Sequence, residues 1–267
     1  MAPRDAEAHR EDTGWVAGDS GYIYRTDYGG DTWIQEYSGG PHLRDIQFPE
    51  DEISGWAGGA SGTIRCTAGP LMKTGTYLGD GTGDRAITGL RFQPDYVIVM
   101  AEEDEPAVQR FSSMAGDKSS TFGSAAPTTN YIQALEADGF QVGDGAEVNN
   151  ATYTYHWVAF KEVPAQIDVG SYPGDGWDDR SITGLGFEPD WLIIKADAAE
   201  ACVHRFRSMG RRDTSLNFDN SNSLQNAIQK LESDGFQVGD DTAVNALGTT
   251  DHYAALAATS RSRTGPA

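Results

Sequence analysis

The feature that most constrains this chain is a tandem repeat of about 95 residues. GTYLGDGTGDRAITGLRFQPDYVIVMA (75–101) recurs as GSYPGDGWDDRSITGLGFEPDWLIIKA (170–196), at an offset of 95 residues. The heptapeptide DGFQVGD occurs at 138–144 and again at 234–240, where one extra residue makes the offset 96. A repeat of domain length indicates that one fold is built twice. We therefore predict two tandem domains, repeat A (70–164) and repeat B (165–260).

Each copy has the pattern of a β-sandwich. The continuous apolar runs at 96–101 and 191–196 are typical of central strands. The Pro-Asp pairs before them indicate turns, because Pro restricts the backbone and Asp supplies a local acceptor. The stretch IQALEADG (132–139) fits either a helical turn or a bent strand, and the pattern leaves both open.

A shorter repeat precedes the tandem domains. TGWVAGDSGYIYRT (13–26) aligns without gaps with SGWAGGASGTIRCT (54–67), at an offset of 41 residues. A period near 41 with a Gly-Trp strand is typical of one propeller blade. Residues 13–69 resemble the Ycf48-like and Asp-box repeats of β-propellers. They depart from the Asp-box pattern where Tyr28 holds the usual Asp position, with Asp27 one place early.

About one and a half blades cannot close a propeller, and open blades leave sheet edges that pair with other chains. We expect either a larger propeller or completion by a symmetric homo-oligomer, such as a trimer in which each chain gives two blades. The predicted fold class is all-β: partial β-propeller-like blades followed by two tandem β-sandwich, jelly-roll-like domains. Residues 1–12 are predicted as a flexible arm and 261–267 as a tail.

The charge balance limits the partners. The chain carries 40 acidic and 20 basic residues, a net charge of −20. Such a surface repels nucleic acid and anionic membranes, so we expect neither nucleic-acid binding nor membrane insertion. An acidic surface suits a halophilic host, and an ordinary acidic extracellular protein is the alternative. The opening MAPRDAEAHREDTG lacks an apolar signal region, which leaves a cytosolic protein, a virion component released by lysis, or a fragment of a longer chain.

The two cysteines, Cys66 and Cys202, show no metal-binding spacing, and we expect buried free thiols rather than a disulfide. No cofactor is expected, apart from structural Ca²⁺. Loop aspartates can supply converging oxygens for calcium, and they are also the preferred residues of tight turns. The calcium candidates are Asp80, Asp84, Asp138 and Asp144 in repeat A, with Asp175, Asp179, Asp234 and Asp240 in repeat B.

Other repeated residues suggest binding or support. Arg85 and Arg180 are equivalent, as are Arg110 and Arg205, and each pair is expected to bind a carboxylate, either to pin a loop or to hold a ligand. His156 and His252 stand on equivalent strands beside Trp157 and Tyr253, two aromatic candidates for carbohydrate or partner binding. Their imidazoles are expected to be structural hydrogen bonders, and no catalytic grouping is indicated around them.

Trp177 is the candidate that distinguishes the copies. It stands in the GDGWDD loop, where repeat A has Thr82. A Trp in a Gly/Asp loop is poorly placed for a core and well placed to stack on a sugar or on a neighbouring subunit.

The order of motifs supports a resemblance. Gly-x-Tyr-x-Gly-x-Gly is followed by Ile-Thr-Gly-Leu-x-Phe-x-Pro-Asp, then by x-Leu-x-x-Asp-Gly-Phe-x-Val-Gly. Residues 74–258 thus resemble β-sandwich modules of tail-fibre and spike-like proteins of tailed viruses, and related modules of large secreted surface proteins. The resemblance implies a place on a virion or a cell surface, and no catalytic residue.

These observations predict a non-enzymatic virion surface protein: a turret, capsid-decoration, spike or fibre component. Its expected partners are other copies, other virion proteins and a host cell-surface glycan. The alternative is a fragment of a large adhesion or scaffold protein at the surface of a bacterium or archaeon. A glycan-active enzyme is disfavoured, because fewer than two blades cannot build the convergent centre of a propeller sialidase.

Overall fold

The computed structural model describes residues 3–8, 14–26, 30–47, 54–68, 72–210, 213–218 and 223–257. The chain divides into two compact units, Met1–Pro70 and Leu71–Ala267. The all-β class is confirmed: within the described ranges, regular helix is limited to two four-residue α-helices and three short 3-10 turns.

The described part of the first unit forms two antiparallel sheets. The strands are β1 (Pro3–Ala8), β2 (Gly14–Gly18), β3 (Ile23–Thr26), β4 (Ile34–Tyr37), β5 (Leu43–Gln47), β6 (Ser54–Gly59) and β7 (Ile64–Ala68). One sheet has the order β1-β2-β3-β4 and the other β5-β6-β7. Their shared core contains Trp15, Ala17, Ile23, Leu43, Ile46 and Ala57.

The 41-residue repeat is visible in the backbone of this unit. Ser20 and Ser61 both have positive φ, at 63° and 57°. The N–H of Gly18 donates to the carbonyl of Tyr22 at 3.1 Å. In the second copy, the N–H of Gly59 donates to the carbonyl of Thr63 at 2.9 Å. One turn is therefore built twice. Asp27 and Tyr28, where the sequence departs from an Asp-box, lie outside the described residues.

The arm predicted as flexible over residues 1–12 contains β1, so that prediction is wrong for residues 3–8. Strand β1 pairs antiparallel with β2, from Pro3 opposite Gly18 to Ala8 opposite Gly14. The polar side chains of PRDAEA indicated an unpacked arm. The strand forms because a sheet edge offers backbone hydrogen bonds whatever the side chains are. The tail predicted over 261–267 lies outside the described residues.

The second unit contains both long repeats. Repeat A has β8 (Met72–Leu78), β9 (Arg85–Thr88), β10 (Tyr96–Ala101), β11 (Val108–Phe111), β12 (Ser120–Thr121), β13 (Ile132–Glu136), β14 (Gly139–Val142), α1 (Ala146–Asn149) and β15 (Thr154–Phe160). Repeat B has β16 (Ile167–Pro173), β17 (Arg180–Thr183), β18 (Trp191–Ala196), β19 (Val203–Phe206), β20 (Leu216–Asn217), β21 (Ile228–Glu232), β22 (Gly235–Val238), α2 (Thr242–Asn245) and β23 (Thr250–Leu256).

The two repeats have the same topology. Repeat A pairs its strands as β12-β11-β10-β15-β8 and β13-β14-β9, and repeat B as β20-β19-β18-β23-β16 and β21-β22-β17. In repeat B the two sheets enclose one core, to which the central strands give Leu192, Ile194, Phe236, Val238, Tyr253 and Ala255. Alternation along β18 places Ile193 and Lys195 on the opposite side, here called the outer face of the five-stranded sheet.

The stretch IQALEADG is a bent strand rather than a helical turn. Strand β13 pairs with β14, and its register shifts between Ile132 and Ala134. Strand β21 shifts at the equivalent place, between Ile228 and Lys230. A bulge bends the strand and disturbs the alternation of side chains, which is why the sequence pattern looked helical.

The heptapeptide DGFQVGD is a structural corner. The Asp138 carboxylate accepts hydrogen bonds from the N–H groups of Gly89, at 3.1 Å, and Arg91, at 2.5 Å. Gly139 has φ +156°, and a Cβ there would lie 1.9 Å from the carbonyl oxygen of Ile87. Only glycine fits where β14 meets β9. Gly235 repeats this arrangement in repeat B, 2.0 Å from Ile182.

Candidate functional site

The glycine loop after β16 is fixed by one buried side chain. Asn245, fully buried at the end of α2, accepts through Oδ1 from the N–H of Asp175 (3.0 Å) and from Nη1 of Arg180 (3.1 Å). Its Nδ2 lies 2.9 Å from the carbonyl of Trp177, 3.0 Å from that of Gly239 and 3.1 Å from Asp175 Oδ1. Because every hydrogen-bonding position of this amide is used, the loop backbone is held from several sides.

Repeat A builds the same support around Asn149. This amide is also fully buried and binds the backbone N–H of Asp80, the carbonyl of Thr82 and Nη1 of Arg85. A Val-Asn pair precedes the last strand of each repeat, at 148–149 and 244–245, and its asparagine is therefore the anchor of the loop.

The repeated arginines belong to this support. Arg85 lies 3.3 Å from the Asp80 carboxylate and donates to the carbonyl of Leu78 at 2.7 Å. Arg180 does the same with Asp175, at 3.2 Å, and with Pro173, at 2.6 Å. Each guanidinium also lies over a tyrosine ring. The predicted pairing with a carboxylate is present, but it is used inside the loop, so neither arginine is arranged as a sugar or carboxylate receptor.

Hydrogen bonds from within the loop favour the ionised form of Asp80 and Asp175. Hydrogen bonds from the backbone N–H and hydroxyl of Thr82 keep the pKa of Asp80 below its usual value. The backbone N–H of Trp177 does the same for Asp175. Their role is that of an acceptor in a turn.

This framework carries an exposed apolar tip in repeat B only. The Trp177 side chain is 75% exposed, and Leu247, in the loop after α2, is 81% exposed. The two loops are in contact: a Cβ on Gly176 would lie 3.7 Å from Cβ of Leu247. The predicted exposure of Trp177 is confirmed, and we call Trp177 and Leu247 the apolar tip.

In repeat A the equivalent positions are Thr82 and Ala151. A Cβ on Gly81 would lie 3.4 Å from Cβ of Ala151, so the loops meet in the same way. Both changes between the copies replace a small side chain with a large apolar one at the same end of the sandwich. The sequence comparison singled out Trp177 but missed Leu247, which the offset of 96 would have revealed.

The structure does not bring the predicted calcium ligands together. Asp138 and Asp234 accept backbone N–H groups at the corners after β9 and β17, and Asp144 and Asp240 each accept from an asparagine amide. Asp84 and Asp179 are turn residues with φ of 57° and 58°. Within the part of the chain that the structure describes, no group of three or more His, Cys, Asp or Glu is placed to hold a metal ion.

Arg110 and Arg205 are pinning residues of a second kind. The Arg110 guanidinium donates to the carbonyls of Lys118, Ile132, Met114 and Gly116. Arg205 donates to carbonyls of the equivalent loop, those of Thr214, Ile228 and Gly210. The carboxylate predicted for Arg110 is thus replaced by backbone carbonyl oxygens, and burial lowers the pKa of both groups.

The two histidines are hydrogen bonders, as predicted, in different surroundings. His156 is exposed and lies 2.8 Å from Glu102. His252 is buried, and its Nδ1 lies 2.9 Å from Oγ of Ser113. The Ser113 hydroxyl donates its proton to the carbonyl of Gly170, at 3.0 Å. The imidazole is therefore the donor in the Ser–His contact, the reverse of a nucleophilic serine.

Trp157 and Tyr253, predicted as aromatic binding residues, are corrected to core residues. They are 9% and 8% exposed. Strand alternation turns both rings toward the three-stranded sheet, where Trp157 packs against Phe140 and Tyr253 against Phe236. The exposed side chains of these strands are on the other face.

Cys202 is a buried free thiol, as predicted. It lies between the repeats, where its Sγ is 3.2 Å from Nε2 of Gln109, and burial raises the pKa of the thiol to about 12. The side chain of Cys66 lies outside the described part of the structure.

Comparisons with known proteins do not assign this chain to a family. No protein-family model matches this chain, and no curated protein matches it. A solved structure described as "YCF48 bound to D1 peptide" is 12% identical and covers 96% of this chain and 93% of its own, with a TM-score of 0.22. A TM-score at that level does not establish a common fold. No described helix is long and apolar enough to cross a membrane.

Proposed function

We propose that this chain is a non-enzymatic surface attachment protein, and that the apolar tip of repeat B binds a cell-surface glycan. The observation that carries the proposal is a Trp side chain 75% exposed on a loop whose backbone is hydrogen-bonded to a buried asparagine. A loop backbone that is fixed before binding reduces the conformational entropy lost when an exposed aromatic ring stacks on a sugar.

Three further features support this function. The large side chains of the tip are absent from repeat A, so the fold does not need them. Leu247, on the loop that meets Gly176, adds a second exposed apolar side chain at this end of the sandwich. Asp178 and Asp179 border the ring with exposed carboxylates, which accept hydrogen bonds from sugar hydroxyls.

The location that we propose is the surface of a tailed-virus particle, with a cell surface as the alternative. The support is the order of sequence motifs described above. Mass spectrometry of purified particles from the source culture tests it. Recovery of the chain at stoichiometric abundance supports a virion protein, and its recovery in the cell envelope alone contradicts one.

A glycan array tests the function itself. The intact chain should bind a defined set of glycans, and W177T, which installs the residue of repeat A, should weaken binding at least tenfold. A loss of that size corresponds to about 1.4 kcal/mol, within the range for a stacked aromatic side chain. The matched control is L78T, which removes an apolar side chain 61% exposed at the end of β8.

The opposite results are equally clear. Equal binding by W177T and the wild type, or no glycan bound by any variant, contradicts the proposal. The reciprocal variant T82W with A151L places the tip on repeat A, and we expect it to raise the number of bound glycans per chain from one to two.

A further inference from the structure

The outer face of the five-stranded sheet in repeat B is covered by repeat A. Strand pairing arranges this face in two rows, one of Ser171, His252 and Lys195 and the other of Val169, Ala254 and Ile193. Ile193 and Lys195 are fully buried, although they point away from the core of their own sandwich. A charged side chain buried there indicates a built interface between the repeats.

Repeat A covers this face with a ridge made of Phe111, Ser113, Met114 and Phe122. Phe111 stacks on His252, with ring centroids 6.2 Å apart, and Ser113 bonds to His252 and to the carbonyl of Gly170. Phe111 and Met114 share one apolar cluster with Ile193 and Ala254. At the rim, Lys195 donates to the carbonyl of Ala125, and Lys118 lies 3.0 Å from Asp197.

Repeat A has the same outer face, and there it is open. The equivalent rows are Thr76, His156 and Met100, and Thr74, Val158 and Ile98. Met100 is 53% exposed and His156 is exposed, whereas Lys195 and His252 are buried. These six residues, together with Gly75 and Trp157, line a shallow, mostly apolar groove that we call the open face. It adjoins the interface between the repeats, because Ile98 and Val158 border the same apolar cluster.

Repeat B has the same ridge, and its part at residues 206–209 is open. The motif VQRFSSM of repeat A is VHRFRSM in repeat B, which aligns Phe206, Ser208 and Met209 with Phe111, Ser113 and Met114. Phe206 is 40% exposed, although Phe111 is fully buried, and Ser208 is exposed. One chain therefore presents both halves of the contact that it also makes within itself.

We propose that a second copy of this chain docks the ridge of its repeat B on the open face of repeat A. The residues that make the internal contact are kept on both sides: Phe206 and Ser208 on the ridge, and Gly75, Ile98 and His156 on the face. The contact is heterologous, so it leaves one ridge and one face free at the ends and continues into a ring or a filament.

The rim contacts are not kept, and this sets the strength of the association. Met100 replaces Lys195, and Thr214 replaces Lys118, so neither the carbonyl contact nor the ion pair recurs. The net charge of −20 adds repulsion between copies. The association is accordingly weaker than the packing within the chain, and it strengthens as salt screens the charge.

Sedimentation velocity of the full chain in 0.5 M NaCl tests this inference. The wild type should form species larger than a dimer as its concentration rises toward 1 mM. M100E, on the open face, and F206S, on the ridge, should each remain monomeric. I64S, which alters an exposed apolar residue in strand β7 of the first unit, should assemble like the wild type.

Mixing the two variants gives the decisive result. M100E keeps its ridge and F206S keeps its face, so an equimolar mixture should form a one-to-one dimer and stop there. Thermal unfolding of each variant alone shows that it is folded. A wild type that stays monomeric, assembly that survives either substitution, or a mixture that stays monomeric overturns the proposal. None of these results bears on the apolar tip.

Discussion

Asp251 is the residue at which the two repeats differ most in chemistry inside the core. Its equivalent in repeat A is Tyr155, whose hydroxyl donates to the carbonyl of Ala146 and accepts from the N–H of Asn150. Asp251 is fully buried, and among the described residues neither of its carboxylate oxygens has a hydrogen-bond partner. Burial without a partner raises the pKa of Asp251 to about 7.

The raised pKa makes Asp251 a source of pH-dependent stability. The folded state binds its proton up to about pH 7, whereas the unfolded state releases it near the ordinary pKa of 3.8. Stability is therefore highest below that ordinary value and is lost as the pH rises toward 7. The buried His252 acts in the opposite direction, because desolvation lowers its pKa to about 4 and stability falls as the pH drops below 6.5.

Replacing Asp251 with asparagine should stabilise the protein. At pH 8 we expect D251N to raise the free energy of unfolding by about 1–3 kcal/mol, because it removes a buried charge whose desolvation outweighs the attraction of Arg180. The advantage over the wild type should shrink as the pH falls toward 4, and this difference isolates Asp251 from His252. Urea unfolding at pH 4, 6 and 8 measures it. D104N, at an exposed carboxylate, is the control, and a gain independent of pH would contradict the assignment.

Residue by residue, the sequence predicted positions better than partners. The exposure of Trp177 could be predicted because a Trp in a Gly/Asp loop is poorly placed to pack in a core. Alternation along YHWVAF (155–160) places Trp157 and His156 on opposite faces of the strand, but it does not reveal which face is covered, and Trp157 was predicted as a binding residue. Asp251 and Leu247 went unnoticed although the alignment contains both, because each matters only once its surroundings are known.

At the scale of elements, the buried asparagines are expected to hold the loops rather than the sandwich as a whole. N245A removes the buried amide that binds Asp175 and Trp177, and it leaves their backbone groups without that partner. We expect a loss of about 2–4 kcal/mol in the free energy of unfolding. Hydrogen exchange should become faster in residues 174–179 while residues 79–84 stay protected.

N149A is the matched control for this prediction. It should reverse the pattern, with faster exchange in residues 79–84 and no change in residues 174–179, because Asn149 makes the same contacts in repeat A. If each substitution accelerated exchange equally in both loops, the asparagines would be general core residues rather than loop anchors.

The elements also show where sequence patterns stop being informative. The apolar runs at 96–101 and 191–196 are strands β10 and β18. Strand β18 is buried on both sides and needs no alternation, whereas in β10 the apolar Met100 lies on the open face. The pattern of IQALEADG fitted a helical turn as well as a bent strand, because the bulge in β13 disturbs the alternation, and β21 contains the same bulge. The strand at residues 3–8 was missed because its partner, the edge of β2, lies outside the segment itself.

At the scale of the whole molecule, the repeat predicted two copies of one fold but not how they pack. The offset of 95 residues carries over into strands, sheet order and corners. The two repeats pack face to face through residues that both copies contain. Sequence identity between the copies therefore could not show that one ridge is buried and the other open. That asymmetry arises because a two-repeat chain has two ends.

The net charge gives the last prediction. With 40 acidic and 20 basic residues, the folded chain concentrates negative charge that the unfolded chain spreads out. Salt reduces this repulsion, since the Debye length falls from about 30 Å at 0.01 M to about 10 Å at 0.1 M. We expect the urea midpoint of the F206S variant to rise between 0.01 and 0.5 M NaCl. Using F206S separates charge screening from self-association, and urea, being uncharged, adds no screening of its own. A midpoint that is flat or falling over this range would mean that the acidic residues are spaced widely enough to be tolerated without salt, and it would remove the physical argument for a halophilic host.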